Sequence, residues 1–576
     1  MDGDALSRAM LLPDDDPTMQ LIGPLGDGTD SPGDLSVEHD RYIVEGTRLE
    51  DLSQLAIVVT PQRDNVAVAR SHIPAGTVIL WQGQKIAVRA DIPPGHRFAL
   101  YPIPAGAWVC QYGQPFARSK GLAPGDPVND ETVENIVPQV DADSLTLQPS
   151  HLPPWEGTLP TFQGFYRPDG QVGVRNWVLI VPMSMCSSHE AAQIAARAEM
   201  QGLYTRERYP NVDGVTAIPH TGGCGCPYPQ AGARERGTLE NTLRILAQHI
   251  GHPNIGAALL IELGCEKTNL ATFDAYFGTD GLTARYGKPV LRLSIQEDGG
   301  SQATIARGLA LLPELLAEAN QTSRRPAPLS ALALGLECGG SDAFSGLSAN
   351  PALGQASDLL VRCGGRSVIS EVPEFFGAEH LFAQRAVNRE VAAGILALLE
   401  WYRAHAAARG GHSMTENPSP GNREGGLLNI TIKSLGALAK SGSAPVVGVL
   451  NYGGWVWDHA DSGIYMLNTP GYDPPSVTGL VGAGCQLVCF TTGRGSVFGN
   501  AIAPVIKIAS NDALYARMSG DMDVNAGAVI SGTRTLPEMG QAIFDEILAV
   551  ASGKLTKAEI NGHREFNLWE IEGLLL

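Results

Sequence analysis

The sequence predicts a multidomain α/β protein: a small all-β module followed by two α/β units with mainly parallel sheets. Three observations carry this prediction. Short β-branched runs broken by Gly/Pro turns fill residues 53–125. From residue 163 onward, apolar strands alternate with helical patterns. The 576 residues suffice for about three or four domains with a sizeable core. A hydrophobic content of 44% with 18% charged residues is that of a folded chain rather than a disordered one.

Residues 1–52 read as an acidic, flexible extension. Up to residue 51 they hold 13 acidic and 3 basic side chains, more than half of the net charge of −19. A chain this acidic lacks the footprint of a nucleic-acid or anionic-membrane binder, although a few local cations can still hold a carboxylate. No apolar run reaches the roughly 18 residues of a membrane span. The start of the chain has no basic segment followed by an apolar one, so no secretory signal is expected. Nine cysteines, an odd number thinly spread, predict reduced thiols in the cytoplasm rather than a disulfide framework.

The runs AIVV, NVAVA, GTVIL and KIAV build the β module over 53–125, and the Pro- and Asp-rich stretch 126–162 has linker composition. Over 163–325, NWVLIVPMSM, GVTAIPH, AALLIELGC and VLRLSI read as strands. SSHEAAQIAARAEM, LENTLRILAQHI and ATIARGLALLPELLAEAN read as helices between or after them. Over 326–576, ALALGLE, ANPALGQASDLLVRCG and SVIS open a second strand–helix–strand series.

Several of these strands run directly into a Gly-rich turn bearing Cys, His or a carboxylate. WVLIVPMSM leads to Cys186, and AIPH to His220 and Cys224. ALLIELG leads to Cys265 and Glu266, and ALALGLE to Cys338, Ser341 and Asp342. In open α/β sheets ligands bind beyond the carboxyl ends of the strands, where helix starts hold anions. Cys363, Cys485 and Cys489 lie within apolar runs and read as small core residues. No C-x₂-C pair suggests a zinc ribbon. Arg494 in TTGRGSVFGN and Lys433 after GNREGGL suit contacts to a carboxylate. His96, in a turn of the β module, reads by itself as a solvated imidazole. Neither a phosphate-binding G-x-x-x-x-G-K-[ST] loop nor a G-x-S-x-G elbow is present.

The motifs GFYRPDGQVGVRN, HTGGCG, LGCEK, ECGGSDAFSGLSANPALG, SPGNREGGL, IKSLGALAKSG, TPGYDPPSVTG, CFTTGRGSVFG and MDVNAG resemble the altronate/galactarate dehydratase (UxaA-type) family. DNVAVA and PPGHRFALYPIPAG are similar to the SAF domain, a β-clip-like fold, at that family's N-terminus. The resemblance implies a metal-dependent hydro-lyase that removes water from a sugar acid to give a 2-keto-3-deoxy acid. It implies Fe²⁺, mononuclear or in an iron–sulfur cluster, with another divalent cation as the alternative. The metal ligands would come from Cys186, His220, Cys224, Cys265 and Cys338. His96, Glu266, Asp342 and Glu371 are the expected acid–base or orienting groups, with Ser341, Lys433 and Arg494 on the substrate. This chain departs from the family at Asn500, Ala526 and Ser476, where relatives carry cysteine. The partner is a small sugar acid, with no nucleic acid or membrane, and a homo-oligomer is compatible. Two alternatives stand beside this reading: elimination of another β-leaving group, as in a sulfo-lyase acting on sulfolactate, and a non-catalytic sugar-acid sensor.

Overall fold

Runs as short as VAVA and GTVIL cannot cross a large sheet, and they form small ones. The computed structural model describes residues 49–138, 145–226, 238–277, 287–408 and 417–569. The acidic extension lies outside the described residues as far as residue 48; Leu49–Asp51 forms a strand parallel to Val78–Trp81. Three small sheets make up the β module, which includes β1 (Arg97–Ala99), β2 (Trp108–Gln111) and β3 (Gln114–Ser119). Strand pairing runs on past residue 125. Pro127 and Val128 pair with β1, and Val133 and Glu134 with β3. The Pro- and Asp-rich composition of that stretch therefore encodes turns as well as a linker.

The strand β4 (Thr161–Tyr166) leads into a four-stranded parallel sheet. It contains β5 (Trp177–Pro182), β6 (Gly214–Ala217), β7 (Ile255–Glu262) and β8 (Val290–Ser294), in the order β6-β5-β7-β8. Both faces are covered by helices, and β7 accordingly reads as one apolar run, IGAALLIE. The helices α1 (Met185–Met200), α2 (Thr238–Gly251) and α3 (Ser301–Ala319) follow β5, β6 and β8. The strand β9 (Arg324–Pro328) then returns to pair antiparallel with β4.

A second parallel sheet has seven strands. They are β10 (Ala333–Cys338), β11 (Arg366–Ile369), β12 (Val446–Leu450), β13 (Gly463–Leu467), β14 (Leu487–Thr492), β15 (Val505–Ala509) and β16 (Val524–Asn525). Their order is β12-β13-β11-β10-β14-β15-β16. The order reverses direction at β10 and β14, which places a switch point there.

The amino ends of the two parallel sheets are tied together. Asn254, just before β7, donates to the carbonyls of Gln486 and Ile502, and the Gln486 side chain accepts from the Ala333 backbone N–H. One apolar core runs between the sheets, from Leu179 and Met183 to Val477 and Phe490. The β module is seated on the second sheet. Gly95 and Gly426 approach so closely that a Cβ on Gly426 would lie 2.5 Å from the Gly95 carbonyl oxygen. No helix of the described residues is long and apolar enough to cross a membrane.

Candidate active site

Because β5, β6 and β7 are parallel, the loops after them leave the same edge of the sheet, and each carries a cysteine. Cys186 opens α1, Cys224 lies in the Gly-rich loop after β6, and Cys265 follows β7. The order β6-β5-β7 changes direction between β5 and β7, so the three thiols surround a switch point. The loops interlock through backbone contacts. Met185 N–H donates to the Gly222 carbonyl at 2.9 Å, and Thr268 Oγ1 to the Met183 carbonyl at 2.5 Å. Gly223 has φ +99°, and a Cβ there would meet the Met183 carbonyl oxygen at 2.7 Å and Ser184 Cα at 2.8 Å. Only glycine allows that approach. All three thiols are exposed. Slight burial and the adjacent Cys186 and Cys265 thiols push the Cys224 thiol up.

Glu266 braces this edge. Its carboxylate accepts from Leu263 N–H at 2.8 Å, Gly264 N–H at 2.7 Å and Ser184 Oγ at 3.2 Å, which fixes the loop after β7 against the loop after β5. His220 is buried below the loop. Its Nε2 faces the Pro182 carbonyl at 2.9 Å, Nδ1 has no hydrogen-bond partner, and burial lowers the ring to about 4. It is a neutral imidazole at physiological pH.

A second and denser group occupies the carboxyl end of the seven-stranded sheet. Glu337 and Cys338 end β10, Glu371 and Glu374 follow β11, and Asp473 opens α5 (Asp473–Gly482). Lys433 and Lys440 come from α4 (Ile430–Leu438) and the turn after it. Lys440 Nζ lies 2.7 Å from Cys338 Sγ and 2.8 Å from Glu371 Oε2; Lys433 Nζ lies 2.6 Å from Glu374 Oε1. Cys338 donates to Glu374 at 3.1 Å, and its N–H to Glu371 at 3.0 Å. Two ammonium groups face four carboxyl groups in a water-poor site, so some carboxyls must hold protons. Burial and then Glu371 drive Glu337 far above the usual range. Burial and then Glu374, opposed by Lys440, bring Glu371 to about 7. Burial alone would raise Glu374 too, but Lys433 and Lys440 hold it below the ordinary value.

Glu371 is further distinguished by its backbone, with φ +64° and ψ 54°, an uncommon state for a residue with a Cβ. Its N–H donates to Thr469 Oγ1 at 2.7 Å. Its Oε1 and that of Glu337 are buried without hydrogen-bond partners, and these two residues and Asp473 can offer oxygens within 4.8 Å of one another. Such a set suits a hard divalent cation or shared protons. Cys338, Glu371 and Glu374 are equally close together, but Lys440 and Lys433 already stand where a cation would sit.

The structure thus divides the four expected cysteine ligands: Cys186, Cys224 and Cys265 share one edge, and Cys338 belongs to the buried lysine–carboxylate group. Asp342 accepts from Ser345 N–H and Oγ and from Ser510 Oγ, each at 2.8 Å, and from Asn511 at 3.0 Å; it holds loops together. Ser341 is buried with an unpartnered Oγ and lines a small cavity with Cys338, Asp342, Lys433 and Tyr112. Arg494 is half exposed and pairs with Glu424 at 3.0 Å. His96 sits on the seating loop of the β module, its Nδ1 3.3 Å from the Pro94 carbonyl, and burial lowers it. Sequence reasoning missed Glu337, Glu374, Lys440 and Asp473. All but Glu374 lie within or against motifs that carried the resemblance, so a signal was present in the ionisable residues of ECGGSD, IKSLGALAKSG and TPGYDPPSVTG.

Comparison with known proteins finds matches along most of the chain. Residues 55–135 match the altronate/galactarate dehydratase SAF domain. Residues 164–320 match the D-galactarate dehydratase/altronate hydrolase second domain. Residues 329–573 match the D-galactarate/altronate dehydratase C-terminal domain. Altronate dehydratase of Bacillus subtilis (strain 168) is 34% identical over 510 residues, 88% of this chain and 97% of the relative. Altronate dehydratase of Escherichia coli (strain K12) is 35% identical over the same shares. Galactarate dehydratase (L-threo-forming) of Escherichia coli (strain K12) is 36% identical over 513 residues, 88% of this chain and 92% of the relative. With three family domains in order and this degree of identity along nearly all of its length, the chain belongs to the altronate/galactarate dehydratase family.

Proposed function

We propose that this protein is a hydro-lyase that eliminates water from a sugar acid such as altronate or galactarate, giving a 2-keto-3-deoxy acid. The observation that carries the reading is Glu371: a buried carboxyl brought to about 7, with one oxygen on Lys440 and the other unpartnered. Removal of a proton α to a carboxylate needs a base whose pKa lies near the working pH. Glu371 Oε1 takes that proton, and Lys440 on Oε2 keeps the carboxylate oriented. Lys433 and Ser341 hold the substrate's carboxylate, with Arg494 at the mouth. Asp342 and Glu266 keep the loops in place, and His96 closes the side formed by the β module.

Cys186, Cys224 and Cys265 would hold the iron. Three exposed soft ligands on one edge fit an iron–sulfur cluster with one open iron better than they fit a site with His220, whose ring is turned to Pro182. Glu337, Glu371 and Asp473 are the alternative for a hard cation. Iron supplies a Lewis acid for a leaving hydroxyl when bound. The chain is taken as cytoplasmic and compatible with a homo-oligomer, with a β-clip-like module over 53–125 that the strand pairs extend to Glu134, and α/β units over 163–325 and 326–576.

The test is anaerobic incubation of Fe²⁺-supplied protein with a panel of aldonates, aldarates and sulfolactate, with detection of 2-keto acid. A 2-keto-3-deoxy product from one sugar acid, abolished by chelation, is expected. Sulfite from sulfolactate, or no product from iron-loaded protein, would overturn the assignment as a hydro-lyase.

A further inference from the structure

The turn between β2 and β3 has two residues, Tyr112 and Gly113, with φ +58° and +68°. Positive φ at both positions marks the tight hairpin turn that favours Asn-Gly or Gly-Gly, because a Cβ at the first position is strained. Here that position holds a tyrosine, one of three described residues other than glycine with positive φ; Glu371 is another. Such a conformation persists only where the surroundings enforce it. Asp64 braces the turn from below, its carboxylate accepting from Gly113 N–H at 2.7 Å and Thr60 N–H at 2.8 Å. Arg97 fastens the module from the side, donating to Gln111 and to the Gly426 carbonyl.

The turn aims the phenol out of its own module. Tyr112 is buried, and its hydroxyl reaches between two glycines of the second parallel unit. A Cβ on Gly346 would lie 2.4 Å from that oxygen, and one on Gly436 would lie 3.7 Å from it. The small cavity beyond is lined by Tyr112, Cys338, Ser341, Asp342 and Lys433, among others. Its donors are the unpartnered Ser341 Oγ, the Tyr112 hydroxyl and the Lys433 ammonium, which keeps a third N–H beyond those given to Glu374 and Asn417. Burial raises the phenol, so it stays protonated and neutral at working pH. The cavity has room for about one water-sized group, so a hydroxyl, a phenol and an ammonium around it match a single oxygen at the end of a carboxylate.

We propose that Tyr112 is a substrate-contacting residue, its hydroxyl donating with Ser341 and Lys433 to the carboxylate end of a polyhydroxy acid. The N-terminal β module thereby supplies one wall of the site. This rests on the hydro-lyase reading for the identity of the ligand, and on the cavity alone for its chemistry.

The test is Tyr112→Phe, which keeps the ring and removes only the hydroxyl. Two readouts are taken on the full chain: steady-state kinetics with the sugar acid that the parent turns over, and calorimetric binding of altronate and galactarate to iron-free protein. Loss of one hydrogen bond to a charged ligand weakens binding about 10- to 100-fold. The expected result is a KM and Kd raised by that factor, with kcat changed less and the melting temperature held. Variant affinity and kcat/KM within twofold of the parent would overturn the proposal. If the parent binds an acid but turns none over, the hydro-lyase reading fails; this inference stands if Tyr112→Phe weakens that binding and fails if it does not. If the parent neither turns over nor binds any acid of the aldonate and aldarate panel, both fail.

Discussion

Glu371 shows how much of the chemistry is decided by a single residue's surroundings. An exposed glutamate would be fully ionised at neutral pH and a weak base. Burial and Glu374 raise Glu371 to about 7, and Lys440 keeps it from rising further. As the proposed base, Glu371 acts in its carboxylate form, so kcat/KM should climb as pH rises toward about 7 and level off above it. That limb belongs to the whole lysine–carboxylate group rather than to one side chain. A pH–rate profile from 5 to 9 checks it, and a profile flat below 6.5 would exclude a base of this kind. In the sequence Glu371 stood only as one of the acid–base candidates that the family resemblance implied. Its partners were not legible: Lys440 lies 69 positions away and Cys338 33, and only the folded sheet brings them together.

Among the elements, the edge formed by β5, β6 and β7 was the most readable. Alternating strands and helices imply parallel order, and parallel order sends every carboxyl-end loop to one side. What the pattern could not give is which loops flank the reversal. Cys338 also ends a strand in a Gly-rich turn, but that strand, β10, belongs to the other sheet. His220 had the same appearance in sequence, yet its ring hydrogen-bonds back to Pro182. The three-loop edge depends on close backbone contact at Gly223. Gly223→Ala would place a Cβ against the Met183 carbonyl and force a strained φ, at a cost of about 1–3 kcal/mol. Iron bound after anaerobic reconstitution should fall at least severalfold, with far-UV circular dichroism unchanged. Full iron loading of that variant would show that the thiols do not need this geometry, or do not hold the metal.

At the scale of the whole molecule, the acidic chain keeps its cations where they count. Lys440 is buried and Lys433 nearly so at the switch point of the seven-stranded sheet, and the β module is seated over the same end. Composition alone gave the sign of the chain's charge, but it could not locate these two lysines. The β module was readable as strands and turns, and its seating was not. Nothing in QYGQ announces that the turn's tyrosine reaches Gly346, because that contact spans two modules. The account therefore places the reaction where three segments far apart in sequence meet, with Glu371 as its base.

The most direct measurement is kcat/KM of Glu371→Gln against the parent, on the sugar acid the parent turns over, with melting temperature recorded for both. Removing a general base should lower the rate by about 100- to 10,000-fold while the variant stays folded and still binds the acid. A folded Glu371→Gln protein with kcat/KM within threefold of the parent would contradict the account and move the base elsewhere.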